Sequence, residues 1–283
     1  MFRTLIKIFS EDQRPFRRLT AAAIRRSQQR TKVLLQYPLN RYIKRVKICK
    51  PPIFIVGAEH SGTSLLLAIL GAHSRIYAIP YESQFAYKPQ PQAQLKRFDL
   101  LAISEGKSRW VEKTPKHIHC IDKLLEFCCH AKILLIIRDG RDVACSIQDR
   151  YGSIELGIKR WVAHNRAGEA FWSHPNVYVL RYEQLIENFE LTITDTLRFL
   201  GEYYEPEMQD YHSKPKYFYS NIIEKPPNAF RENHMPHRNW QINQPLFDGR
   251  GKWKRMTEQE KLIVKDIANE MLVAYGYVDS VYW

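Results

Sequence analysis

The chain has 283 residues, 45% of them hydrophobic, and a net charge of +13 that is unevenly spread. Residues 1 to 50 hold fourteen Lys and Arg against Glu11 and Asp12, a balance of +12, so the other 233 residues carry only +1. This composition predicts one α/β core, residues 51–283, behind a basic N-terminal extension, residues 1–50; it argues against a nucleic-acid-binding core, and no run of eighteen apolar residues predicts a membrane span.

In the extension, Leu19, Ala22, Ala23 and Ile24 lie opposite Arg17, Arg18, Arg25 and Arg26 in a patchy helical pattern. Such a segment either lies on an anionic membrane surface, contacts a partner or stays solvated. The opening MFRTLIKIFS is too short and too charged for a signal peptide, so the expected location is cytoplasmic, peripheral at a membrane if the arm docks there. Cysteines 49, 120, 128, 129 and 145 are odd in number and lack metal-ligand spacing. They read as reduced thiols, with no metal expected.

The core opens with IFIVGAEHSGTSLLLAIL, residues 53 to 70. A buried strand (53–56), a small polar loop and a helix (63–72) form the usual cradle for an anion, with backbone amides at a helix N-terminus. Gly57 and Gly62 fit the spacing of the triphosphate loop G-x-x-x-x-G-K-[ST], but Thr63 stands where its lysine belongs, followed by Ser64. That lysine neutralises the β- and γ-phosphates of a nucleoside triphosphate. A different phosphorylated donor is therefore expected.

A short strand near 76–79 follows, then a loop through the Pro/Gln-rich residues 88–94, read as a surface lid or acceptor-side loop. Next come a strand (109–112), a helix (115–129), a strand (132–137) and a helix (140–150). Arg138 ends the third of these, where open parallel sheets bind ligands. Ser146 and Arg150, eight and twelve residues on, share one helix face and suit a second phosphate, although Arg138 could instead pair with Asp142. A helix (154–173), a strand (177–181) and helices near 182–187 and 190–200 complete the strand–helix alternation. Residues 204–250 lack periodicity and read as an irregular excursion. Thr257 and Glu260 form a capping box for a last helix, 257–275. The fold class is α/β, a P-loop-like three-layer sandwich with a mostly parallel central sheet.

Five blocks in this order, GAEHSGTS, VEKTPKHI, RDGRDVACSIQDR, VLRYEQLIEN and GRGKWKRMT, resemble those of sulfotransferases that use 3′-phosphoadenosine 5′-phosphosulfate (PAPS), in their bacterial-type and tyrosylprotein branches. The resemblance spans about residues 52 to 257. It implies transfer of a sulfuryl group from PAPS, a co-substrate needing no metal, to an acceptor hydroxyl on a tyrosyl peptide, sugar, lipid or small phenol. It places the 5′-phosphosulfate on His60, Ser61, Gly62, Thr63 and Ser64, with His60 where the family commonly has arginine. The 3′-phosphate falls to Arg138, Ser146 and Arg150. Tyr182, Arg250, Lys252 and Trp253 complete the nucleotide site, with Trp253 either stacking on adenine or anchoring its loop. Lys113 matches the lysine that stabilises the transferring group. Glu82 is the first candidate base, with His117 and His119 its rivals. The alternatives from the residues alone are a P-loop kinase and a non-enzymatic binder of nucleic acid or anionic surfaces.

Overall fold

The computed structural model describes residues 50–89, 91–228, 231–280 and 283. The basic extension, the pattern within it and Cys49 lie outside the described residues.

Five short strands form one all-parallel sheet: β1 (Ile53–Gly57), β2 (Ile76–Ala78), β3 (Arg109–Lys113), β4 (Lys132–Ile137) and β5 (Val177–Arg181), in the order β2-β3-β1-β4-β5. β1, the most apolar of the early strands, takes the centre, paired to β3 through Ile53↔Val111 and to β4 through Ile53↔Lys132. Both faces of the sheet are covered, so β1 and nearly all of β4 are apolar rather than alternating. Phe54 and Val56 point into one core, and Ile53 and Ile55 into the other.

The first core packs against α2 (Pro91–Ser104), α3 (Ile121–Phe127), α4 (Gly140–Tyr151), α5 (Ile154–Glu169) and α9 (Glu258–Ala274). The second packs against α1 (Thr63–Leu70), α6 (Tyr182–Glu187), α7 (Phe189–Leu200) and the excursion, through Met208, Tyr211, Tyr219 and Ile242. The excursion itself contains a helix, α8 (His234–Gln241). The capping box at Thr257 is present, with its hydroxyl taking the Glu260 amide.

Two elements differ from expectation. The Pro/Gln-rich stretch is no lid: it starts α2, because proline at a first helical position loses no hydrogen bond, and Phe98 and Ala102, four apart, are buried on one face. Residues 115–129 are not one helix. A 3₁₀ segment, Pro115–Cys120, precedes α3, and at Cys120 the backbone leaves helical geometry (φ −147°). No described helix is long and apolar enough to cross a membrane.

Candidate active site

The C-terminal ends of β1, β3 and β4 open on the same edge of the sheet, where an open parallel sheet binds its ligands. After β1 the chain turns through residues 58–62 into α1. Gly62 has φ +98°, and a Cβ there would lie 2.7 Å from the Tyr182 ring, so only glycine fits without strain. α1 has no side-chain cap and no acidic residue in its first turn, leaving its first amides for an anion. His60, Gly62, Thr63 and Ser64 line the pocket in front of it. The Ser61 hydroxyl and His60 Nε2 are buried with no hydrogen-bond partner among the described residues. Burial, and after it the positive fields of His234, Arg238, Arg150 and Lys252, hold His60 well below the ordinary histidine range. The loop is therefore uncharged at His60.

A second polar cluster closes the far side. Arg138 donates to the His60 carbonyl at 3.0 Å and to the Gly249 carbonyl, and its guanidinium lies 4.2 Å from the Tyr182 ring centroid. Its distance to Asp142 is 3.8 Å, so the expected local ion pair coexists with a pocket-facing arginine. Ser146, Arg150, Tyr182 and Lys252 line the same pocket, with Lys252 Nζ donating to Ser146 Oγ at 3.1 Å. Arg150 Nε is buried without a partner. Asp149, which also lines the pocket, is held by Arg255 at 2.5 Å.

The late loop is pinned by Asp142, whose carboxylate accepts the Gly251 amide at 2.9 Å and the Trp253 amide at 3.1 Å. Trp253 faces Arg141, 4.1 Å from its ring, and Trp283. It takes the anchoring alternative and does not line the pocket. Arg250 also turns away, to Asp248 at 2.9 Å and to Glu187.

The third cluster lies beside Ser64. Glu82 Oε1 accepts both Lys113 Nζ at 2.6 Å and Arg238 Nη1 at 2.7 Å. Burial pushes this carboxyl up, but the two cations outweigh it and hold its pKa down to about 2. Of the three, only Arg238 lines the pocket; Glu82 and Lys113 lie behind it. Side chains alternate along β3, so Lys113 reaches this cluster while its neighbour Glu112 points to the opposite core. Glu112 carries His117 with it: His117 is fully buried, 3.3 Å from Glu112 and edge-on to Phe85. Neither His117 nor His119, the latter packed on His164, lines the pocket.

The excursion contributes what the sequence left unread. His234, His237, Arg238 and Gln241 line the pocket from α8. Their spacing of three, four and seven is one helix face, a readable signal in retrospect. His234 is packed on His60, with ring centroids 5.7 Å apart; burial and then Arg238 lower its pKa to about 3.

The family model described as "Sulfotransferase family" matches residues 89–206. The chain is similar in fold to the sulfotransferase domain of the Synechococcus PCC 7002 olefin synthase, at 16% identity and a TM-score of 0.54 over 81% of this chain and 98% of that one. It is also similar to mouse sulfotransferase SULT7A1 complexed with PAP, at 19% identity and a TM-score of 0.50 over 78% and 84%. An uncharacterised protein of Aquifex aeolicus is 26% identical over 58% of this chain, which spans 27% of that relative's length.

Proposed function

We propose that the chain, whose residues 89–206 match the sulfotransferase family model, transfers a sulfuryl group from PAPS to an acceptor hydroxyl. One observation carries the choice of donor: a single pocket joins two separate anion cradles, the α1 N-terminus and the Arg138–Ser146–Arg150–Lys252 cluster. A nucleoside triphosphate presents one continuous chain of phosphates, and the residue that would grip its end is Thr63. PAPS presents a 5′-phosphosulfate and a separate 3′-phosphate. Arginine at the second cradle gives a permanent charge and paired donors to a phosphate.

Sulfuryl transfer asks for in-line approach of the acceptor oxygen and for cations where negative charge grows. In this reading Ser61, the α1 amides and Ser64 hold the sulfated end, and Tyr182 and Lys252 hold the nucleotide. Lys113 stabilises the transferring oxygens. Glu82 is ionised at neutral pH, and so able to accept the acceptor's proton, but its two ion pairs make it a weak base as it stands. An incoming sulfuryl group competes for both cations. As they turn to it, the carboxylate is released and its basicity rises. The acceptor enters past α8 and the loops of the excursion. Residues 51–283 form the catalytic unit, and the basic extension is a separate surface-binding element.

Incubation with labelled PAPS and a panel of tyrosyl peptides, sugars, lipids and phenols tests the proposal. Label should move to one acceptor class with stoichiometric release of adenosine 3′,5′-bisphosphate. Release of no bisphosphate, even by slow hydrolysis, contradicts it.

A further inference from the structure

The neutral first loop leaves an electrostatic question at the reacting end. Residues 57–64 contain no Lys or Arg; their one acid, Glu59, is paired with Arg160 at 3.1 Å. The Nε2 of His60 is buried there without a partner, and buried His234 beside it has an unpartnered Nε2 as well. Two buried ring nitrogens without partners in a pocket wall call for a ligand, because such atoms are costly to leave unsatisfied. A cation is also needed to face the charge that moves during sulfuryl transfer.

We propose that Arg238, carried on α8, is the catalytic cation that contacts the transferring sulfuryl group, supplying from the excursion the charge that His60 does not supply from the loop. This inference rests on the sulfuryl-transfer reading above. Three observations support it. Arg238 and Lys113 meet at a single carboxylate oxygen of Glu82, so this cluster holds two positive charges against one negative. Its net charge of +1 stands at a water-poor wall, where an anion is bound far more strongly than in bulk solvent. Second, Tyr219 aligns both cations: Lys113 Nζ is 4.9 Å and Arg238 Cζ 4.7 Å from its ring centroid, and its hydroxyl donates to Ser64 Oγ at 3.2 Å. The pair is thereby tied to the first residues of α1, where the phosphosulfate is read to sit. Third, Arg238 is the member of the cluster that lines the pocket, next to His60 and His234. With Lys113 fully buried behind it, Arg238 is the cation a bound anion meets first.

Calorimetric titration of PAPS and of adenosine 3′,5′-bisphosphate, together with turnover, separates this role from a structural one. Arg238→Gln should weaken PAPS about tenfold more than the bisphosphate, the worth of one charge-assisted contact, and lower kcat on the order of 10²-fold. Arg238→Lys should keep the preference for PAPS, since it retains the charge. A loop arginine should complement the loss: His60→Arg combined with Arg238→Gln should recover part of both kcat and the PAPS preference. Equal weakening of both nucleotides by Arg238→Gln, or no recovery in the double variant while His60→Arg alone binds PAPS normally, would overturn the assignment. Failure of the wild-type protein to bind either nucleotide would instead remove the donor reading beneath it.

Discussion

At the scale of single residues, the site is governed by who neutralises whom. Glu82 is the counter-ion of Lys113 and Arg238, so Glu82→Gln leaves a fully buried and a largely buried cation without a carboxylate. The free protein should lose on the order of 1–3 kcal/mol of stability, and PAPS should stabilise the variant more than it stabilises the parent. Turnover should still fall on the order of 10²–10⁴-fold, because the base is gone. Unchanged melting of the free variant would contradict the ion-pair account; near-normal turnover would remove Glu82 as the base. The two pocket histidines set a different pH window. Both have folded pKa values below the unfolded 6.5, so between that value and the folded one the unfolded chain binds more protons and stability rises with pH. Each such histidine should cost up to about 1.4 kcal/mol per pH unit as pH falls below 6.5. Glu82 acts with the same sign in a lower window, its folded pKa of about 2 lying below the unfolded 4.5, so its contribution is lost only as pH falls from 4.5 toward about 2. Denaturant unfolding at pH 7 and pH 5 checks this. His234→Gln should flatten the slope, and an identical slope would show that His234 is charged in the native protein.

At the scale of elements, the parts that could be read are those whose local chemistry agrees with their place. β1, β4 and β5 announce themselves as β-branched apolar runs, and α9 by the pair Thr257 and Glu260. The loop at 57–62 carries two glycines at positions the backbone requires. α2 was hidden because Pro91 reads as a breaker, yet it occupies a position where its missing N–H costs nothing. α8 was hidden for a similar reason. Pro236 lies in its first turn, and its pocket-facing stripe is polar, so no apolar periodicity marks it. The placement of His117 beside Glu112, away from the pocket lining, was equally invisible, since it depends on which face of β3 Glu112 takes. Two variants separate scaffold from site. Thr257→Ala should cost about 1 kcal/mol of stability and leave nucleotide binding untouched. Gly62→Ala should both destabilise the protein and weaken nucleotide binding, because its Cβ meets Tyr182 in the pocket wall. Equal nucleotide affinity in Gly62→Ala would show that Tyr182 yields without cost.

At the scale of the whole molecule, one central strand fixes the arrangement. β1 delivers the first anion cradle, β3 on one side delivers Lys113, and β4 on the other delivers Arg138. The excursion then folds over the α1 face and brings Arg238 to the gap between them. The charge of the chain is divided in the same spirit, with a near-neutral core and a basic extension. Deleting residues 1–45 should leave nucleotide binding intact and abolish any salt-sensitive binding to anionic vesicles. Vesicle binding that survives the deletion would move that property to the core.

The two-cradle pocket is tested most directly by thermal unfolding in the absence of Mg²⁺ with adenosine 3′,5′-bisphosphate or with 5′-AMP. The bisphosphate should raise the melting temperature by mass action on the folded state, 5′-AMP should raise it much less, and Arg138→Ala should erase most of the difference. Equal stabilisation by the two nucleotides, or a difference that survives Arg138→Ala, would contradict the assignment of a second phosphate to Arg138, Ser146 and Arg150.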